Sequence, residues 1–274
     1  MRVVVLVENS VGRTLPIFGE HGFSLWIEYE GRKVLFDTGQ RGAVVSNAAL
    51  LDVDLKAVDA LVLSHGHSDH TGGLRAALEF IGRKVPVYAH PDLFISHRVS
   101  SPQDRYVGVP FVLEELEASG AQFIWVRESR ELFPGFWLSG EVPRRMPFEQ
   151  GDPRMYFFRN GDRVQDPVRD DLSIFVKTKR GLVVLLGCAH AGVVNIVEYA
   201  RQVTSTEKVA AVIGGTHLGP ATPAQLEATI DYLKGLDLTL LAANHCTGLP
   251  VAAKLANIFG DRFRFAPAGE VFGF

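Results

Sequence analysis

Alternating apolar and polar positions predict strands and helices in turn along almost the whole chain. In the first half, the apolar run 2–7 and the segments FSLWIEYEG and KVLFD predict three strands, the last two joined as a hairpin by a Gly-Arg turn. The segment VDALVLS predicts a buried strand, and GGLRAALEFIG has the apolar spacing of a helix. This alternation indicates an α/β fold rather than an all-α or all-β one.

The second half continues the alternation after an irregular stretch. Residues 98–170 are rich in Pro, Gly, Arg and aromatic residues, which predicts an elaborated loop region with a few short strands. A later helix is predicted to begin with Thr222 as its N-cap and Pro223 at its first position. The remaining segments predict a hairpin (DLSIFVKTKRGLVVLLGCAH), a helix (GVVNIVEYARQV), strands (KVAAVIGGTH, LTLLAANHC and RFRFA) and a short helix before the last strand. We expect a single domain over residues 1–274.

Composition narrows the classes of partner. The chain has 274 residues, a net charge of -3 and no long block of one sign, so we expect a small-molecule substrate and neither a nucleic acid nor a membrane partner. No apolar stretch approaches the ~20 residues that span a bilayer. The two cysteines, Cys188 and Cys246, make no disulfide framework, and we therefore expect a cytoplasmic location. The oligomeric state is left open.

Four metal-ligand side chains crowd the stretch LVLSHGHSDHTGG, directly after a predicted strand. Positions 65, 67 and 69 converge on one side of an extended loop and His70 approaches from the other, so His65, His67, Asp69 and His70 are suited to two adjacent metal ions. Imidazoles with one carboxylate favour zinc or iron, with manganese as a further alternative, whereas calcium and magnesium prefer oxygen ligands. A lone histidine is usually structural, but four donors within six residues indicate a metal site.

These residues and several later segments resemble a known family. The segment HGHSDH resembles the His-x-His-x-Asp-His signature of the metallo-β-lactamase superfamily, and LFDTG resembles its first motif, in which the aspartate, here Asp37, supports the metal loop. The segments GEVPRRMPFE, GLVVLLGCAHAGVVNIV, VIGGTHLGPA and NHCTG resemble the branch of dihydropterin-methyl-ribofuranosylaminobenzene-phosphate synthases. The resemblance implies a four-layer αββα sandwich built from two similar halves, with the metals at one edge of the sheets.

The resemblance also implies the remaining ligands, with one departure. Many members of the superfamily have a histidine before the second hairpin and a metal-bridging aspartate after it, whereas this chain has no such histidine and carries Cys188 after the hairpin. We therefore expect His190 to complete the site of His65 and His67. Cys188 either bridges the metals as a thiolate or packs in the core.

Two more histidines follow predicted strands. His245 matches the final metal histidine of the superfamily, and we assign it with Asp69 and His70 to the second metal. His217 follows VAAVIGGT and has three open roles: a metal ligand, a donor of a proton or hydrogen bond to the substrate, or a core histidine.

The irregular region supplies candidate substrate-binding groups. Arginine binds phosphate through two parallel hydrogen bonds, and Arg144 is our choice because it lies in the branch-like segment GEVPRRMPFE. We expect a structural or rim role for His90, and surface or loop positions for His21 and His97.

Two divalent metals lower the pKa of water and offset charge on an attacked phosphoryl or acyl oxygen, so hydrolysis of an anionic, phosphate-containing small molecule is the expected reaction. Asp69 then binds metal and orients the nucleophile, and His217 is the acid or oxyanion partner. One alternative is a synthase or transferase that joins a dihydropterin to a ribofuranosylaminobenzene phosphate. The others are a diiron redox protein and a non-catalytic member of the same fold.

Overall fold

The computed structural model describes residues 1–12, 14 and 16–274, and strands and helices alternate along them as predicted. The strands are β1 (Arg2–Val7), β2 (Ser24–Tyr29), β3 (Arg32–Phe36), β4 (Ala60–Val62), β5 (Val85–Ala89), β6 (Arg98–Val99), β7 (Arg105–Tyr106), β8 (Ala121–Trp125), β9 (Arg130–Phe133), β10 (Phe136–Leu138), β11 (Met155–Arg159), β12 (Asp162–Gln165), β13 (Ile174–Thr178), β14 (Gly181–Leu186), β15 (Val209–Gly215), β16 (Leu240–Asn244), β17 (Phe263–Arg264) and β18 (Val271–Gly273). The α-helices are α1 (Ala43–Leu50), α2 (Ser68–Thr71), α3 (Leu74–Ile81), α4 (Leu113–Ala118), α5 (Val193–Thr204), α6 (Pro223–Gly235) and α7 (Leu249–Phe259). The predicted α/β class is confirmed.

The chain divides into two compact units. The first unit comprises Met1–Val126, Tyr156–Val164 and Pro267–Phe274, and the second comprises Arg127–Met155 and Gln165–Ala266. The single domain expected over residues 1–274 stays a prediction. Within the described ranges, no helix has both the length and the apolar character needed to cross a bilayer.

The first unit is built on a seven-stranded sheet with the order β18-β1-β2-β3-β4-β5-β8. Its strands β3, β4, β5 and β8 run parallel, and β4 is buried along its whole length, as is typical of parallel strands covered on both faces. Helix α3 buries Leu74, Leu78 and Ile81, whose spacing forms one apolar stripe. Because the carboxyl ends of parallel strands lie at the same edge of a sheet, the residues that follow β3, β4 and β5 lie together at that edge.

The second unit has the same plan. Its sheet has the order β17-β16-β15-β14-β13-β10-β9, in which β14, β15, β16 and β17 run parallel. Helix α6 begins as predicted, with the Thr222 hydroxyl accepting the amide of Gln225 at 3.2 Å and Pro223 in the first turn. Here too the carboxyl ends of adjacent parallel strands bring their loops together at one edge of the sheet.

Helix α1 was not predicted, because its cap comes from a distant residue. Its N-cap is Gly42, which has no side chain to accept the first amides. The carboxylate of Glu20 accepts four successive amides from Gln40 to Ala43, at 2.9 to 3.3 Å. A buried or partly buried carboxylate at a helix N-terminus satisfies these donors and complements the helix dipole.

The region 98–170 is more regular than the few short strands expected. It contains helix α4 and seven strands: β8 extends the sheet of the first unit, and β9 and β10 extend that of the second. The other four strands form a separate sheet with the order β12-β11-β6-β7. These strands span only two to five residues, which is too short for alternation to stand out in the sequence.

Candidate metal centre

The segment after β4, a loop that runs into helix α2, brings together three imidazoles of the first unit. His65 Nε2 lies 2.9 Å from His67 Nδ1, and the ring centroids of His65 and His70 are 4.2 Å apart. All three histidines are buried. Gly66, between the first two, allows this packing, because a Cβ on it would lie 2.1 Å from the carbonyl oxygen of Leu93.

Asp37 fixes this segment through hydrogen bonds to Ser64 and His70. Its carboxylate accepts the Ser64 amide and the Ser64 hydroxyl, each at 2.7 Å, and His70 Nδ1 lies 2.7 Å from its Oδ2. Donation from Nδ1 to a carboxylate leaves the lone pair of His70 on Nε2, which is the arrangement typical of metal-binding histidines. Asp69 Oδ2 lies 4.0 Å from that Nε2.

Three further histidines of the first unit have distinct surroundings. His97 lies in a loop, one of the two expected positions, but it is fully buried and not at the surface, with its ring centroid 5.1 Å from that of His67. His90 Nδ1 accepts the amide of Asp92 at 3.1 Å, a contact that fits a structural role. His21 is exposed, and its hydrogen bond to Asp69 raises its pKa although partial burial opposes the shift.

The second unit brings thiols and imidazoles to the ends of β14, β15 and β16. Cys188 and His190 follow β14, His217 follows β15, and His245 and Cys246 follow β16. The potential ligand atoms of Cys188, His190 and His217 lie within 4.8 Å of one another, as do those of Cys188, His245 and Cys246. We call these five residues the strand-end cluster.

His217 occupies the middle of the strand-end cluster. Its ring centroid is 4.2 Å from that of His190, and its amide donates to Cys246 Sγ at 3.2 Å. Among the described residues, neither ring nitrogen of His217 makes a hydrogen bond, although Nε2 lies 3.6 Å from Asp152 Oδ2. The Asp152 carboxylate is held in turn by Arg154, whose Nε lies 2.9 and 3.1 Å from its two oxygens.

Burial and charge act in opposite directions on this group. Burial lowers the pKa of His217, but Asp152 and Cys246 outweigh it and raise the pKa to about 9. Burial likewise disfavours the charged forms of Asp152 and Cys246. His217 and Arg154 nevertheless hold the pKa of Asp152 well below its usual range, and Cys188 and His217 do the same for the pKa of the Cys246 thiol.

A buried carboxylate and a partly buried guanidinium fix the loop that carries His190. Asp171 Oδ2 accepts the amide of Ala191 at 2.8 Å, and Arg144 Nη1 donates to the carbonyl of His190 at 2.7 Å. The other terminal nitrogen of Arg144 donates to the carbonyl of Pro167. Burial raises the pKa of Asp171 to about 6 and lowers that of Arg144. Both side chains border a cavity of about 280 Å³.

Glu149 caps the helix that follows this loop. Its two oxygens accept the amides of Val194 and Asn195, each at 2.8 Å, and burial raises its pKa although these bonds oppose the shift. The roles of Glu149, Asp152 and Asp171 were not predicted, because nothing in their local spacing indicates contacts with residues far along the chain.

The predicted ligands therefore fall into two sets, one in each unit. The first unit holds His65, His67, Asp69 and His70, supported by Asp37, and the second holds Cys188, His190 and His245 together with His217. Imidazoles, thiols and one carboxylate form a donor set suited to zinc or iron, so the residues present fit the divalent metals that the sequence predicts.

Comparison with known proteins identifies the family. A relative from Methanocaldococcus jannaschii, 7,8-dihydropterin-6-methyl-4-(beta-D-ribofuranosyl)-aminobenzene-5'-phosphate synthase, is 31% identical over 284 residues, covering 100% of this chain and 97% of the relative. An uncharacterised protein of the same organism is 30% identical over 271 residues, covering 99% of each chain. The crystal structure of Tm1679, described as a metal-dependent hydrolase of the beta-lactamase superfamily, superimposes with a TM-score of 0.86 at 26% identity, over 100% of this chain and 99% of that one. The predicted metallo-β-lactamase fold is thus confirmed. Residues 18–201 match the model of the metallo-beta-lactamase superfamily, and the chain belongs to that superfamily.

Proposed function

We propose that this chain is a metal-dependent enzyme with a dinuclear site that hydrolyses an anionic, phosphate-containing small molecule. The observation that carries the proposal is the segment HGHSDH, in which buried imidazoles lie next to one another and the Asp37 carboxylate lies 2.7 Å from Nδ1 of His70. A carboxylate that orients a histidine in this way is typical of metal ligands.

The proposed metals are two divalent ions, with zinc as the first choice and iron or manganese as alternatives. The proposed ligands are His65, His67 and His190 for one metal and Asp69, His70 and His245 for the other. When bound, such a pair supplies Lewis acidity that lowers the pKa of water and offsets charge on an attacked oxygen.

The remaining steps belong to side chains of this chain. Asp69 orients the attacking water, and His217 donates a proton to the leaving group. In the metal-free chain, the Asp152 carboxylate raises the pKa of His217 against the opposing effect of burial, which favours the protonated imidazole and suits His217 to act as an acid. The Asp152 carboxylate, which lies 3.6 Å from Nε2 and is bonded by Arg154, stabilises the charge of that imidazole.

A second candidate function is a synthase that joins a dihydropterin to a ribofuranosylaminobenzene phosphate. It is favoured by the 31% identity to the synthase from Methanocaldococcus jannaschii, which extends over 100% of this chain. The two candidates share an anionic, phosphate-bearing substrate and the same metal ligands. They differ in whether the acceptor for the attacked group is water or a second organic substrate.

The test combines metal analysis with turnover. We expect purified protein to hold close to two zinc ions per chain and to hydrolyse bis-p-nitrophenyl phosphate, and we expect His67→Ala to lose metal and turnover together. Ser68→Ala is the matched control, because Ser68 is the chain neighbour of His67 but offers no proposed ligand. Full activity in the His67→Ala variant contradicts the dinuclear mechanism. Two iron ions with a visible absorption band and no hydrolysis favour the diiron redox alternative.

A parallel assay separates the two candidates. The protein is incubated with a dihydropterin and ribofuranosylaminobenzene phosphate, and the joined product is sought by mass spectrometry. A joined product that His67→Ala cannot form, together with no phosphodiester hydrolysis, replaces the hydrolase by the synthase.

A further inference from the structure

Two sulfur atoms and an imidazole lie together at the end of the second sheet. The ligand atoms of Cys188, His245 and Cys246 are within 4.8 Å of one another, and neither cysteine is part of a disulfide. Zinc bonds to sulfur at about 2.3 Å and to imidazole nitrogen at about 2.0 Å, so small side-chain adjustments bring three such atoms onto one ion. The superfamily resemblance assigns a ligand role to His245 but none to Cys246.

The backbone around these sulfur atoms is adapted to their close approach. Gly215 packs closely against both cysteines. A Cβ added to it would lie 2.6 Å from Cys246 Sγ and 3.3 Å from the Cα of Cys188. Ala189 and His245 both adopt positive φ angles, of 58° and 51°, which non-glycine residues rarely adopt. Such conformations persist where the surrounding structure holds them in place, and they are enriched at functional sites.

The hydrogen bonds at Cys246 also suit a thiolate. The amide of His217 donates to Cys246 Sγ at 3.2 Å, and a thiolate that binds metal keeps this bond. Backbone amides that donate to ligating sulfur atoms tune metal–thiolate sites. The thiol donates weakly to the carbonyl of Cys188 at 3.5 Å, and it gives up this donation when it loses its proton.

We propose that Cys188, His245 and Cys246 form a metal site in which both sulfur atoms bind the same divalent ion. Each thiol proton passes to solvent as its sulfur–metal bond forms, and no oxidation state changes. The proposal rests on the proposed function for the ligand role of His245, and it goes beyond that function by adding two sulfur donors. Soft thiolate donors favour zinc or iron over manganese and magnesium, so the proposal also restricts the resident metal.

X-ray absorption on the zinc-loaded full-length protein tests the proposal directly. We expect zinc–sulfur scattering at about 2.3 Å, resolved from the nitrogen shell at about 2.0 Å. Cys188→Ser and Cys246→Ser should each remove about half of the sulfur signal. Thr247→Ser is the matched control, because it changes the neighbouring residue, retains the hydroxyl that pairs with Thr216 and leaves both thiols in place.

Alkylation of the unsubstituted protein provides a measurement that does not depend on how the variants fold. We expect zinc to protect Cys246 from iodoacetamide at least tenfold relative to metal-free protein, and magnesium to give no protection, with the modified peptides counted by mass spectrometry.

The possible results separate this proposal from the proposed function. Two zinc ions with no sulfur in their coordination shells overturn the thiolate site and leave the dinuclear enzyme standing. A sulfur signal that Cys246→Ser leaves unchanged also overturns it. A protein that binds one zinc ion, with sulfur ligation that His67→Ala does not affect, supports the thiolate site and contradicts the dinuclear proposal.

Discussion

Arg144 has two possible roles that the sequence does not distinguish: it could bind substrate phosphate or position His190. Substitution of Arg144 distinguishes these roles. Its guanidinium donates to the carbonyls of His190 and Pro167, which belong to separate segments of the chain. The planar guanidinium reaches both carbonyls at once, whereas the single ammonium of lysine satisfies one of them. We therefore expect Arg144→Lys to loosen the loop that carries His190.

The expected loss of stability in Arg144→Lys follows from the hydrogen bonds that are lost. One hydrogen bond to a charged donor contributes about 1.5–3 kcal/mol, so we expect Arg144→Lys to lower the free energy of unfolding by about 2 kcal/mol. If His190 is a ligand, loss of its outer support lowers zinc affinity by about 10–100-fold.

Urea unfolding and zinc titration against a competing chelator measure the two effects. Arg145→Lys is the matched control, since Arg145 is exposed and bonds only the side chain of Gln202 through its guanidinium among the contacts described, and we expect a change within about 0.5 kcal/mol. Unchanged stability and zinc affinity in Arg144→Lys, with a raised KM for an anionic substrate, would refute the positioning role and support substrate binding.

Three further substitutions test individual contacts. Glu149→Gln places the NH2 of a carboxamide against a buried backbone N–H at the start of helix α5. We expect urea unfolding to show that the free energy of unfolding falls by about 1–3 kcal/mol. Asp152→Asn removes the charge that raises the pKa of His217 to about 9, so NMR titration of the metal-free protein should show that pKa falling toward or below its ordinary 6.5. A raised pKa stabilises the folded state fully below about pH 6.5, and this contribution is lost as pH rises through about 9, so the stability difference between wild type and Asp152→Asn should shrink over that range. Gly66→Ala forces a methyl group against the carbonyl of Leu93, and we expect a loss of about 1–3 kcal/mol or more together with loss of bound zinc.

Each of these substitutions has its own control or contrary result. Gln150→Ala, at an exposed neighbour of Glu149, should leave stability within about 0.5 kcal/mol. An unchanged pKa of His217 in Asp152→Asn would show that the carboxylate does not control it. Gly235→Ala, in helix α6, places its methyl group where no atom beyond its chain neighbours and its own helix lies within 4 Å, so a loss equal to that of Gly66→Ala would rule out the steric explanation.

Local patterns predicted most of the secondary structure, because apolar periodicity and cap residues act over a few positions. Helix α6 begins at its Thr222 cap and helix α3 follows its apolar stripe. Helix α1 escaped prediction because Glu20, which caps it, lies 22 residues from Gly42. The short strands of region 98–170 were not all predicted, because they are defined by their pairing with other strands rather than by alternation within their own sequence.

By itself, the sequence determined the α/β alternation, the superfamily and the dense donor loop HGHSDH, since each of these is a local or motif-level property. Only the tertiary structure decided which distant side chains support the candidate ligands. Asp152 lies beside His217, Arg144 holds the carbonyl of His190, and Cys246 lies near Cys188. The physical reason is the parallel order of β14, β15 and β16, which brings three loops far apart in the chain to one sheet edge, where buried polar groups must find partners.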